Sequence, residues 1–364
     1  MVDIALIKSN SIVYDSRVRK IARSLGKKYS LVTLGWNRDA TTVKDTRNDY
    51  QELRLFNLKA PIGKATLVAY LPAFWIWILF RLVICRPEVV HACDLDTMLP
   101  SFVYKVLFRK KLVFDIFDRY AMANIPQKFA RLYSFVNLVE ELFSKKVDAL
   151  IIVAENILGT FRRRPKQYFI IRNCPDLHIV DSIKSKNSML TLVYTGNVVR
   201  YRGLERITEA IKNIEGVDLV FAGRVIDKEF FDQILETPNV KYMGHLLPVD
   251  ALDLEARSDV MMILYDFNIP IHQVANPNKT FEAMMFGLPV ITNLTPELIH
   301  ETNCGILVDY NDINQIRSAI ISLRDDTELR NRLGNNGRKA FEQKYSWRIM
   351  EKELYKVYGG LLRK

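Results

Sequence analysis

Cysteine and histidine are scarce in this chain, four and five residues among 364. The cysteines (Cys85, Cys93, Cys174, Cys304) form no CxxC pair, and none has a zinc-like spacing to a histidine. This argues against a disulfide framework and a structural metal, and the cysteines read as free thiols of a reducing cytosol. Two phosphate-binding signatures are missing as well, the dinucleotide GxGxxG and the GxxxxGK[ST] loop. No recognised nucleic-acid module occurs and the positive charge is dispersed, so nucleic acid is not the expected partner. There is no short repeat and no low-complexity tract. The opening MVDIALIKSN lacks the apolar run and cleavage site of a secretory signal, so a cytoplasmic protein is expected.

What the chain does have is length for two domains with real cores, an ordinary 49% hydrophobic content and a net charge of +11. The charge implies an anionic partner: nucleic acid, an acidic membrane surface or a phosphorylated substrate. One segment, ATLVAYLPAFWIWILFRLVIC (65–85), approaches the ~20 residues that cross a bilayer. Pro72 and Arg81 interrupt it, and strand-like PEVVHA follows at once. The reading is therefore a buried helix or one lying on the membrane surface. Trp75 and Trp77, with Arg81 and Arg86 nearby, keep the surface option open.

Short apolar runs alternate with helix-periodic segments. DIALI, YSLVTLG, VVHAC, KLVFDIF, ALIIVA and YFIIRN read as strands, with helices over SRVRKIARSLGKK and QKFARLYSFVNLVEELFSKK. The pattern lapses over 173–190, a Pro-, Ser- and Lys-bearing linker, and then resumes. LTLVYTG, VDLVFAG, VKYMG, DVMMILYD, LPVITN and GILVDY alternate with helices 204–214, 227–236 and 248–257. This order predicts α/β architecture: two tandem Rossmann-like domains facing a cleft. The boundaries are 1–175 for the first domain and 176–344 for the second. An amphipathic C-terminal helix, 345–364, is expected to pack back on the first domain.

Ligands of open parallel sheets gather at the carboxyl ends of strands, near helix N-termini. NPNKTFEAMMFGLPVI (276–291) fits such a place. Asn276 to Lys279 follow a strand, Asn278 is a plausible N-cap, and Phe281, Met284 and Met285 share a core-facing side. Lys279 and Glu282, three apart, share another side, and Gly287 with Pro289 stops the helix. An ammonium and free N–H groups suit a phosphate, and a carboxylate suits a sugar hydroxyl pair. The alternative is an exposed ion pair of little consequence. A second turn, YTGNVVRYRGLERI, sets Gly196 at a strand end, Arg200 and Arg202 in the loop, and Gly203 at a helix start. That combination suits a diphosphate, the alternative being a solvated basic loop.

Taken in order, the motifs resemble those of retaining glycosyltransferases of the GT-B fold, family 4 type, over nearly the whole chain. DSRVRKIARSL is similar to that family's D-x-R-V-x-K-x-A-x-x-L, VHACDLDTMLP to hAHDLDtLlP, and VFDIFDRY to vyDsHElY. YTGNVVRYRGLERITEAI, FAGR, NKTFEAMMFGLPVI and YSW complete the series. The resemblance implies a nucleotide-sugar donor bound by the second domain. Glu282 would hold the ribose, and Arg202, with Arg200 assisting and Lys279 alongside, would face the diphosphate. Gly196 and Asn197 complete the donor loop. It implies an acceptor, a saccharide or a lipid-linked one, entering by the first domain, where Asp15, Arg17, His91, Asp94 and Asp118 are candidates. No cofactor and no metal are implied. An anionic membrane on the cytosolic face is a further candidate partner, suggested by charge and the 65–85 segment.

The chain also departs from that pattern. Val274 stands where the family has a first glutamate, eight positions before the second. Asn197 replaces an arginine, Cys93 a histidine, and Phe117 a histidine that often contacts the donor sugar; Asp266 lies too far upstream to substitute for the missing glutamate. Together these changes fit a divergent branch or an inactive one, and Val274, Phe117 and Cys93 favour the second reading, a non-catalytic partner of the same fold that binds a sugar nucleotide or another transferase. A sugar-nucleotide epimerase is a third, disfavoured by the acceptor-side motifs. Among those candidates, Asp15 and Arg17 also fit a plain helix start. His91 fits a hydrogen-bonded strand-end residue, Asp94 and Asp96 helix caps, and Asp118 a partner of Arg119 or another base.

Overall fold

The computed structural model describes residues 2–10, 12, 15–38, 50–61, 65–178 and 189–362, so most of the expected linker lies outside the described residues. The chain forms two compact units, Met1–Asn173 with Met350–Lys364, and Cys174–Ile349.

The first unit contains β1 (Ile4–Lys8), α1 (Ser16–Gly26), β2 (Leu31–Trp36), β3 (Leu53–Phe56), α2 (Leu71–Cys85) and β4 (Val89–Cys93). It continues with α3 (Met98–Phe108), β5 (Lys111–Ile116), α4 (Tyr120–Asn124), α5 (Ala130–Ser144), β6 (Ala149–Ile152) and β7 (Phe169–Ile170). Its seven strands are parallel in the order β3-β2-β1-β4-β5-β6-β7. Strand order reverses between β1 and β4. Right-handed crossovers therefore put α2, α3 and α5 on one face of the sheet and α1 on the other. On the α2 side, Phe74, Ile78 and Leu82 pack on alternate strand residues such as Ala5, Ile7, Val32, Val90 and Ala92. The intervening strand residues, His91 and Asp115 among them, face α1.

The second unit contains β8 (Leu190–Thr195), α6 (Leu204–Ile211), β9 (Val217–Ala222), α7 (Lys228–Leu235), β10 (Val240–Tyr242) and α8 (Pro248–Ala256). β11 (Val260–Ile263), α9 (Asn278–Phe286), β12 (Val290–Thr292), α10 (Pro296–Thr302) and β13 (Gly305–Leu307) follow, then α11 (Ile313–Asp325) and α12 (Thr327–Gln343). Its six strands are again parallel, in the order β10-β9-β8-β11-β12-β13, with the switch between β8 and β11. The helix α13 (Trp347–Leu361) ends the chain and meets α1, through Lys27–Glu351 at 2.7 Å and the Tyr355 hydroxyl donating to Ser24 O at 2.7 Å.

Candidate functional site

The loop after β8 reaches toward the end of β11, and one glycine makes this possible. Gly203 has φ +76°, and a Cβ there would lie 2.5 Å from both Cβ and O of Leu264. A side chain at 203 would push the loop off the switch point, where a parallel sheet opens a crevice. Arg202, just before it, lies with its guanidinium 4.2 Å from the Tyr265 ring centroid. Its Nε is out of solvent and has no hydrogen-bond partner among the described residues. Arg200 goes elsewhere: it pairs with Asp227 at 3.1 Å, reaches Glu229 at 3.8 Å and is half exposed. Gly196 (φ +155°) and Asn197 flank the same loop, and Asn197 O accepts the Tyr194 hydroxyl at 2.7 Å.

On the β11 side, α9 starts one residue earlier than the expected cap implies. Pro277 is the N-cap and Asn278 the first helical residue, and no side chain caps this end. Proline fixes an extended entry and supplies no side-chain acceptor, so the first N–H groups stay available to an anion. Gly287 (φ +66°) closes the helix, with Phe281, Met284 and Met285 fully buried beneath it. Lys279 Nζ lies 2.6 Å from Glu282 Oε2 and 2.7 Å from Glu255 Oε1. The pair is therefore not an isolated exposed one. Glu255, from α8, is wholly buried and also accepts the Thr195 hydroxyl at the end of β8. Burial, reinforced by the Glu282 carboxylate, raises the Glu255 carboxyl to about 7 despite Lys279. Lys279 is held well above its usual range, burial being outweighed by its two carboxylate neighbours. A chain of contacts, Thr195–Glu255–Lys279–Glu282, thus joins the two strand ends that flank the switch.

Sequence reasoning missed Glu255, since a glutamate inside ALDLEARSD carries no local sign of burial. It also missed His272. Val274, at the position of the absent glutamate, ends a 3₁₀ turn over Pro270–Val274. The buried polar residue this turn supplies is His272, whose ring centroid is 4.8 Å from that of Tyr265 and 5.6 Å from that of Tyr201. His272 Nδ1 lies 2.8 Å from Asp266 O, and burial lowers its pKa.

In the first unit the structure divides the five expected acceptor-side residues. Asp15 caps α1, accepting from the N–H groups of Arg17 and Val18 at 3.1 Å. Arg17 and His91 are both interior residues. Arg17 grips Asp115 at 2.8 and 3.0 Å and donates to Ile171 O at 2.6 Å. His91 lies 3.3 Å from Asp115 and 2.5 Å from the Tyr358 hydroxyl of α13. Burial opposes ionisation of Asp115, yet Arg17 and His91 hold it below the usual carboxylate range. His91, Cys93 and Asp115 offer donor atoms within 4.8 Å of one another. The guanidinium already on Asp115 and the buried, upshifted Cys93 thiol make this a structural polar network.

Asp94 is not a side-chain helix cap. It sits at φ +63°, accepts from Phe117 N at 3.0 Å and pairs with Lys8, whose Nζ lies 3.8 Å from the Phe117 ring centroid. Asp96 accepts the Ser9 hydroxyl and lies 3.9 Å from Arg38. Burial, with Asp94 nearby, raises its carboxyl. Asp118 is exposed, and Arg119 pairs with Glu140 at 2.9 Å. The residues gathered at the carboxyl ends of β1, β4 and β5 are thus Lys8, Asp94, Asp96 and Phe117.

The donor-side geometry coincides with a family match. Residues 190–326 fit the family model described as Glycosyl transferases group 1. The matched segment includes Arg202, Glu255, His272, Lys279 and Glu282. Among curated proteins, the capsular polysaccharide biosynthesis glycosyltransferase CapM of Staphylococcus aureus is 28% identical over 195 residues, 50% of this chain. The match spans about half of that relative's length, 48%. The sucrose-phosphate synthase structure from Thermosynechococcus elongatus superposes with a TM-score of 0.80 at 16% identity, covering 99% of both chains. Anabaena HepE, solved with UDP and glucose, gives 0.75 at 12% identity, covering 99% of this chain and 100% of that one. The fold of the chain is the GT-B fold.

Proposed function

We propose that the protein is a glycosyltransferase that moves a sugar from a nucleotide-sugar donor to a saccharide or lipid-linked acceptor. The observation that carries this is the meeting of Arg202, with its unpartnered Nε, and the Lys279–Glu282 pair on the two sides of one switch point. Arg202 and Lys279 face the donor diphosphate, and Glu282 holds the ribose hydroxyls. As the bond to the anomeric carbon breaks, negative charge grows on the leaving diphosphate. Fixed cations there favour the transition state over the bound ground state. Glu255 anchors Lys279, so the ammonium is placed before the donor arrives. Retention of configuration, independence of metal and a cytoplasmic site of action follow the resemblance to retaining family 4 enzymes. His272 is the polar side chain that takes the place of the missing glutamate beside the donor.

The test is a thermal-shift panel of UDP-, GDP- and ADP-sugars on the wild type, Glu282→Ala and Arg202→Ala. UDP-sugars come first, because HepE was solved with UDP. At a donor concentration about a hundred times Kd, the wild type should gain about 2.7 kcal/mol. Both variants, folded by circular dichroism, should gain much less. The donor so identified then enters a transfer assay. No shift with any donor would overturn the proposal. A shift without transfer would move the assignment to a non-catalytic, sugar-nucleotide-binding partner, the reading that Val274, Phe117 and Cys93 favour.

A further inference from the structure

The net charge is not shared between the two units. The first holds 33 lysines and arginines against 17 aspartates and glutamates, +16, and the second 19 against 24, −5. The anionic partner implied by composition is therefore a partner of the first unit. The diphosphate-facing unit is itself net negative.

Within the first unit, one face stands apart. The helices α2, α3 and α5 form a single layer on the sheet, α3 joined to α5 by the Phe102–Phe143 ring contact at 5.5 Å. Their inner sides are core, but their outer sides are also apolar. Ile76 is 69% exposed, Leu107 70% and Phe135 62%, with Phe80, Val106 and Leu132 also on the surface. A soluble helix normally turns charge outward. Here the three helices contain two carboxylates between them, Glu140 and Glu141, and both are buried against Arg119. No acidic side chain is exposed anywhere on the layer.

Exposed cations, by contrast, are present, Arg131 near the start of α5 and a further set at the other end of the layer. The three helices run the same way, and their C-caps are Arg86, Arg109 and Lys145, all exposed. One edge of the apolar layer thus carries a basic row, in which Glu88 is paired with Lys110 and Asp148 with Lys105 and Lys111. The 20-residue span Thr66–Cys85 is long and apolar enough to cross a bilayer. It does not cross one here, because β4 directly after it pairs with β1 and β5 in one sheet. Nor is α2 wholly buried, since four of its fifteen residues are. The two tryptophans are not surface anchors: Trp75 donates inward to Asp96 O at 2.7 Å, and Trp77 lies against Phe74 and Phe56.

We infer that the outer face of α2, α3 and α5 docks on an anionic lipid bilayer, apolar side chains entering the acyl boundary and the basic edge meeting lipid phosphates. Apolar area without carboxylates, a basic rim and a net charge of +16 on the same unit match such a surface. The docking does not rest on the transferase reading. A bilayer-bound first unit would receive a lipid-linked acceptor at the surface where that acceptor resides.

The experiment is flotation of the full chain with vesicles of equimolar phosphatidylglycerol and phosphatidylcholine, beside phosphatidylcholine alone, at low and high salt. The wild type should float with the anionic vesicles and lose binding as salt rises. Leu107→Glu and Phe135→Glu should each lower the partition coefficient about tenfold or more, with unchanged circular dichroism and Tm. Arg86→Asn with Arg109→Asn should weaken binding to anionic vesicles while conserving the left-handed caps. Equal binding to both vesicle types, or undiminished binding by the glutamate variants, overturns the inference. So does a salt-insensitive dimer abolished by the same substitutions, which would make a second copy of the chain the occupant.

Discussion

Glu255 is where burial and chemistry meet most sharply. Counting Glu282 as a carboxylate, the Glu255–Lys279–Glu282 group carries one net negative charge when Glu255 is ionised and none when it is protonated. Since that carboxyl titrates near 7, a donor diphosphate should bind more tightly as pH falls through about 7. At about 10 Å and an effective dielectric near 20, one charge is worth about 1.7 kcal/mol, roughly a fifteenfold change in Kd. Glu255→Gln should flatten this pH profile and bind donor at pH 8 about as well as the wild type does at pH 6; a profile unchanged in the variant would assign the ionisation elsewhere. The same group costs stability as pH rises from 4.5 to about 7, because the folded state keeps a proton the unfolded chain has lost. Arg17 is the corresponding residue of the first unit. Arg17→Met strands the Asp115 carboxylate in the core and should cost about 3–5 kcal/mol in urea unfolding. Adding Asp115→Asn should recover part of that loss, and a purely additive double variant would show that the two do not act as a pair.

Elements with strong periodicity were legible from the chain: both sets of central strands, α1, α5 to α8 and the glycine-stopped α9 lie where the apolar pattern places them. The short edge strand β3 and the helices α10 to α12 were not read. β3 has four residues and no fully buried position, so it leaves little apolar signal. Spacing also brought out Arg202, Lys279 and Glu282, which are separated in sequence but carried by local turn chemistry. It gave no access to Glu255, or to the interior placement of Arg17 and His91. Those depend on which face of a strand or helix meets another element, a long-range fact that residue type does not encode. The turn at Gly203 tests the element scale directly. Gly203→Ala combines a left-handed φ with a 2.5 Å approach to Leu264 and should cost about 2–4 kcal/mol in denaturant unfolding. Gly359→Ala lies in α13 with nothing within 4 Å of the new methyl group and should stabilise by about 0.5–1 kcal/mol. The opposite ordering of the two variants would mean that the loop after β8 is not held against β11.

At the scale of the whole molecule, each unit has its own sheet and its own hydrophobic core, one built on β1, β2, β4 and β5, the other on β8, β9 and β11. Two cores that share few side chains unfold as two cooperative steps, so a calorimetric scan should require two transitions. The ligand and the variants should then separate them. On the proposed function a saturating nucleotide-sugar would bind residues of Cys174–Ile349 alone, so it should raise one transition by about 5–10 °C and leave the other in place. Arg17→Met should lower the transition that the donor does not move. Vesicles that dock on α2, α3 and α5 should act on that same donor-insensitive step. A single transition shifted equally by donor and by Arg17→Met would contradict this division. It would mean that α13, which leaves the second unit at Ile349 and continues into the first at Met350, couples the two cores into one folding unit.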